Sequence, residues 1–137
     1  MFPDDLTVDV LTAALHGYGA RHAALANNLA NAETPGYKRI DVSFEAALAE
    51  AAEADRAARR RGAAPGEDPG WRTSQAVAGH LPAVRVVDTT VLRADGSNVD
   101  PDDEMAQLAA NQLAHQTVTA LLDKKLTQFR SAVTGTP

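Results

Sequence analysis

A chain of 137 residues has the size of one ordinary domain, and folding it compactly would bury about two-thirds of the surface its unfolded form exposes. Hydrophobic residues make up 45% of the chain but aromatics only 4%, with alanine supplying about a fifth. The apolar surface is therefore built from small side chains, which favour close helix packing over a deep core. Zero cysteines exclude a disulfide framework, a thiol nucleophile and a thiolate metal site, and a net charge of −5 argues against nucleic acid as a general partner.

The first five residues, Met1 to Asp5, are acidic and lack the basic start and apolar run of a signal peptide. No stretch approaches the ~18 apolar residues that a membrane span requires. From about Leu6 to Asn31, Val8, Leu11, Leu15, Tyr18, His22, Leu25 and Leu29 recur at alternating steps of three and four, which predicts a heptad helix. Ala14, Ala26 and Ala30 border the stripe and would let a partner helix approach closely. Thr34-Pro35-Gly36 stops the helix, and Pro-Gly at the two central positions suits a type II turn.

The alanine-rich stretch from about Ser43 to Arg61 predicts a second helix, with Phe44 and Leu48 as its thin apolar stripe. Glu45, Glu50 and Glu53 lie early, Arg56, Arg59, Arg60 and Arg61 late, and Asp55 and Arg59 form a favourable i,i+4 pair. Pro65-Gly66, Pro69-Gly70 and Gly79 to Pro82 then mark a loop. Val84, Val86, Val87 and Val91 suggest a short strand and Asp95-Gly96 a turn, so this middle holds at most a small β-hairpin.

Asp100 is a suitable N-cap for a last helix, with Pro101 at its first position and three acids at the positive dipole end. Met105, Leu108, Gln112, His115, Thr119, Leu122, Leu126, Phe129 and Val133 keep the three-four spacing, with Leu113, Val118 and Leu121 widening the face. This helix should end near Gly135. It would be about 50 Å long, against a diameter of about 37 Å for a compact chain of this length. The expected fold is mainly α: an elongated, coiled-coil-like pair of long N- and C-terminal heptad helices with a small irregular middle. The stretches are 1–34 (N-terminal axial helix), 35–99 (turn, alanine-rich helix and middle) and 100–137 (C-terminal axial helix). Leu11, Leu15, Leu25, Leu29, Leu108, Leu122, Leu126 and Phe129 are its helix-packing stripe.

Candidate chemistry is sparse. His16, His22, His80 and His115 lack the three- or four-residue spacing of a helical metal pair, and His22 and His115 suit a structural role on their heptad stripes. Asp95, Asp100, Asp102, Asp103 and Glu104 fail the EF-hand pattern and read as helix capping. The Arg56–Arg61 cluster has no interleaved aromatics for base stacking. No phosphate-cradling loop, nucleophile elbow or dinucleotide fingerprint is present. The expectation is no enzyme, no cofactor and no metal.

The run Leu25 to Lys38 (LANNLANAETPGYK) stands apart. Asparagines weaken a helix by competing for its backbone, yet Asn27, Asn28 and Asn31 crowd one apolar helix, where amides can set register across an interface. This run resembles the N-terminal signature of bacterial flagellar rod and hook proteins, and the chain is most similar to the proximal-rod members. Arg39 to Glu45 (RIDVSFE), Asp95 to Asp100 (DGSNVD), and Glu104-Met105 through Asn111-Gln112 support the resemblance. The family commonly has an aromatic where His115 stands and an isoleucine where Leu29 stands.

The resemblance implies a structural subunit of the flagellar basal body, polymerising with other axial proteins into the rod around the export channel and transmitting torque. It implies export through the flagellar type III apparatus without a cleaved signal, and residence in the rod, in the periplasm or cell-wall space. Implied partners are other copies of the chain, other rod proteins, the basal-body adaptor FliE and the export gate. Asn27, Asn28, Asn31, Thr34, Pro35, Gly36 and Tyr37 would be its assembly motif. Two alternatives stay open at this point: a paralogous proximal rod protein, and a free coiled-coil adaptor or chaperone, which leaves Thr34 to Tyr37 unexplained.

Overall fold

A computed structural model of the chain describes residues 6–60, 83–88 and 96–135. Five elements follow in order: α1 (Leu6–Ala30), β1 (Ile40–Ser43), α2 (Glu45–Arg60), β2 (Ala83–Val86) and α3 (Pro101–Thr134). The molecule is mainly helical, and its long first and last helices pack against each other. The loop from Gly62 to Pro82, His80, Val91 and Asp95 lie outside the described residues, as do the side chains of Asp55, Arg56 and Arg59.

The ends of α3 form as its sequence requires. The Asp100 carboxylate accepts the Asp102 amide at 3.0 Å, Pro101 occupies the first turn, and Gly135 closes the helix at φ 66° with its N–H on the Ser131 carbonyl at 3.0 Å. Its 34 residues span about 51 Å. Side-chain contacts pair Asn28 with Glu104 and Tyr18 with Asn111, so α1 and α3 run antiparallel. In that register the start of α1 lies opposite Leu126, and Phe129 and Val133 project past it.

The heptad spacing holds on both helices, but one column of each seam sits a residue away from the apolar reading. On α1 the inward positions are Leu11, Ala14, Tyr18, Arg21, Leu25 and Asn28, while His22 is exposed. On α3 they are Glu104, Leu108, Asn111, His115, Val118, Leu122 and Lys125, while Met105, Gln112, Thr119 and Leu126 are exposed. Leu126, expected in the packing stripe, is thus a surface residue, 40% exposed. Leu113 and Leu121, expected to widen that face, are exposed too, whereas Val118 packs on the core. The physical reason is that Arg21, Asn28, Glu104 and Asn111 find partners inside, and their hydrogen bonds outweigh the burial of a few extra methyl groups. Leu11, Leu15, Leu29, Leu108, Leu122 and Phe129 are half-buried, and Leu25 is buried.

Of the valines expected in a strand, Val84 and Val86 lie in β2 and Val87 follows it; the antiparallel partner of β2 is β1, with Ile40 opposite Val86 and Val42 opposite Val84. The two strands are separated in the chain by α2 and residues 61–82. The core centres on Ala14, Val42 and Phe44, with Tyr18, Ala24, Leu48 and Val118 around it. Gly17 admits the Phe44 ring: a β-carbon there would collide with it. Phe44 meets Tyr18 edge to face, with centroids 5.0 Å apart.

Candidate assembly site

The end of α1, the turn after it, β1 and the start of α3 meet at one polar junction. Pro35-Gly36 makes the turn, with the Tyr37 amide donating to the Thr34 carbonyl at 3.2 Å and Gly36 at φ 71°. That left-handed value at the third turn position is what a type II turn requires of glycine. Gly36 also lies against the second chain crossing: a β-carbon on Gly96, itself at φ 85°, would come 3.8 Å from the Gly36 Cα.

The three asparagines divide their labour. Asn28 is wholly buried and treats Ile40 as a neighbouring strand would: its Oδ1 accepts the Ile40 N–H at 2.8 Å and its Nδ2 donates to the Ile40 carbonyl at 2.8 Å. The same Nδ2 donates to Glu104 Oε2 at 3.0 Å, linking α1 to α3. Asn27 and Asn31 are bound within the turn instead. Asn31 Nδ2 donates to the Asn27 carbonyl and Oδ1, both at 2.9 Å, and the Thr34 hydroxyl donates to Asn31 Oδ1 at 3.4 Å. The Tyr37 hydroxyl is shared between Asn27 Oδ1 at 3.0 Å and Asn28 Oδ1 at 3.2 Å. Partial burial, with the nearby Glu104 charge, raises the Tyr37 phenol above its ordinary pKa of 10.0.

A fourth asparagine, which sequence reasoning placed in a motif but gave no role, completes the clamp. Asn98 Oδ1 accepts the Arg39 N–H at 2.7 Å and its Nδ2 donates to the Val87 carbonyl at 2.6 Å, tying the ends of both strands together. Its neighbours Ser97 and Val99 are buried. Lys38 and Asp88 add an ion pair at 3.3 Å on the outside of the same strand ends.

Glu104 is the charged centre. It is 1% exposed, and Arg39 Nε stands 2.5 Å from its Oε1, a close ion pair whose N–H is not aligned for a hydrogen bond. Arg39 also donates from Nη2 to Gln107 Oε1 at 2.8 Å, and Gln107 Nε2 donates to Asp103 Oδ2 at 2.6 Å. A buried carboxylate is tolerable only when paired and hydrogen-bonded, and Arg39 with Asn28 meet that need. Glu104 is therefore a junction residue and not a helix-capping acid like Asp102 and Asp103. The signal that would have found it is its place in the heptad column that also holds Asn111.

A second clamp holds α1 to the strand–helix corner. Arg21 donates from Nε and Nη2 to the Val42 carbonyl at 3.0 and 2.8 Å, reaches both Glu45 carboxylate oxygens at 2.5 and 2.7 Å, and lies 4.8 Å over the Phe44 ring. The Arg21 guanidinium, hydrogen-bonded to it, pulls the Glu45 carboxyl down to about 2. The run from Arg39 to Glu45 is thereby accounted for: Ile40, Val42 and Phe44 face α1, while Arg39 and Glu45 make the ionic ties.

Residues 25–38, 39–45 and 96–100 and the start of the 104–112 stretch thus meet at one corner, and among the described residues there is no cluster of three metal-ligating His, Asp or Glu side chains. Residues 19–38, the second half of α1 and the turn that follows it, match the family model described as "Flagella basal body rod protein". The chain is 33% identical to the flagellar basal body rod protein FlgB of Borrelia hermsii over 84% of this chain and 86% of that protein. It is 28% identical to FlgB of Bacillus subtilis over 94% of each chain. With FlgB of Salmonella typhimurium it shares 33% identity over 89% of this chain and 88% of that protein. Similarity of this extent shows that the chain belongs to the FlgB family of flagellar basal-body rod proteins, a structural family and not an enzyme family.

Proposed function

We propose that this chain polymerises with other axial proteins into the proximal rod, which surrounds the export channel and transmits torque. The observation that carries the proposal is the set of large apolar side chains that α3 leaves exposed outside its seam with α1. Leu113 is 66% exposed, Leu121 50%, Met105 49%, Leu126 40% and Val133 81%, along a helix that outruns its partner. Met105, Leu126 and Val133 fall on one line at multiples of seven residues, while Leu113 and Leu121 lie on other sides of α3, so apolar side chains face outward around the helix, available to neighbouring subunits. The neighbours proposed are further copies, other rod proteins, FliE below them and the export gate. Delivery is by the flagellar type III route without a cleaved signal, into the periplasm or cell-wall space. The residues from Asn27 to Tyr37 act in assembly by fixing where α1 ends and how β1 leaves it.

Two variants test the proposal in a strain lacking its own rod protein of this type. Leu113→Glu changes only an exposed side chain and should leave the subunit folded and secreted while electron microscopy finds few complete rods. Leu122→Asp puts a charge into the seam and should stop rod growth by disordering the subunit. Complete rods and normal swimming with Leu113→Glu would count against the outward face of α3 as an assembly surface.

A further inference from the structure

We propose that His22 and His115, with the side-chain oxygen of Asn111, form a binding site for a divalent late transition metal that joins α1 to α3. In sequence these histidines are far apart and neither has a ligand-like neighbour, but antiparallel packing sets them on the two walls of one depression. This depression, of about 200 Å³, is lined by Gly19, His22, Asn111, Gln112 and His115. His22 stands exposed at the rim, His115 is half-buried, and Asn111 is 5% exposed beneath them. Gly19 borders the depression on the α1 side, where the space is open: a β-carbon there would meet nothing within 4 Å.

Asn111 is the second, independent observation. Its Nδ2 donates to the Tyr18 carbonyl at 3.0 Å, which orients the amide, and its Oδ1 is buried without a hydrogen-bond partner among the described residues. A buried acceptor left so is costly and calls for a donor or a cation. The donor set selects the cation. Two imidazoles and an amide oxygen, with no carboxylate in the lining, suit Zn²⁺, Ni²⁺ or Cu²⁺ and not Mg²⁺ or Ca²⁺, which want several hard oxygens. Each helix supplies one imidazole, so metal bound there favours the packed pair over the open chain and raises its stability.

The test uses the untagged full chain near neutral pH, followed by thermal unfolding and by calorimetric titration with Zn²⁺, with Mg²⁺ as the control. Zn²⁺ should bind one per chain and raise Tm, and Mg²⁺ should do neither. His22→Ala, at an exposed position, and His115→Phe, which keeps the packing volume, should each weaken Zn²⁺ binding by about tenfold or more. His16→Ala should leave binding unchanged. Absence of Zn²⁺ binding, a fall in Tm, or equal binding by the His22 and His115 variants would overturn the site.

Discussion

The side chain of Asn28 grips the backbone of Ile40 at both its N–H and its carbonyl, each at 2.8 Å, from a position with no solvent exposure. An amide is the one side chain that both donates and accepts at this span. Asn28→Ala would strand two backbone groups and one carboxylate oxygen, so it should cost about 2–4 kcal/mol in urea unfolding. Asn28→Asp should cost at least as much, because it loses the donor and sets a second carboxylate against Glu104. Asn27→Ala, at an exposed position, should cost about 1 kcal/mol or less.

The acids that open α3 should separate by burial. Glu104→Ala leaves Arg39 without its ionic partner in the junction and should destabilise by about 3–5 kcal/mol. Asp102→Asn and Asp103→Asn touch only exposed carboxylates near a helix N-terminus and should each cost about 0.5–1 kcal/mol. Equal losses across the three, measured by the same unfolding curves, would contradict the buried role of Glu104.

Gly17 and Gly19 predict opposite signs two residues apart on α1. Alanine is preferred to glycine in a helix by about 1 kcal/mol, so Gly19→Ala, with open space above it, should raise Tm. Gly17→Ala gains the same propensity but drives a methyl into Phe44, so it should lower Tm by displacing the ring from Tyr18 and Arg21.

The Arg21–Glu45 pair sets an acid limb. Glu45 is depressed in the folded chain from its ordinary value of 4.5 to about 2, so its contribution is full above the unfolded value and is lost as pH falls through that window. The pair is partly exposed, with Glu45 at 51%, so solvent screening keeps its worth to about 1 kcal/mol or less. Glu45→Gln should therefore flatten the stability curve between pH 4.5 and 2 and change it little at pH 2. A curve parallel to that of the unaltered protein would show that Glu45 is not coupled to folding.

Local chemistry alone determined much of this protein. Asp100, Pro101 and Gly135 bound α3 because capping groups act on their own helix ends, and Pro35-Gly36 makes its turn because proline fixes one φ and glycine admits the other. The heptad spacing was likewise legible, since Leu11, Leu25, Leu108 and Leu122 recur at the period of a helix face. Tertiary structure decided which adjacent column completes each seam. Apolar character favoured Met105 and Leu126, whereas Glu104 and Asn111 went inward because Arg39, Asn28 and the Tyr18 carbonyl, remote in sequence, satisfy them there. Pairing of Ile40–Ser43 with Ala83–Val86 was hidden for the same reason: a strand's partner is a non-local choice, set here by Asn28 and Asn98 holding Ile40, Arg39 and Val87 in register.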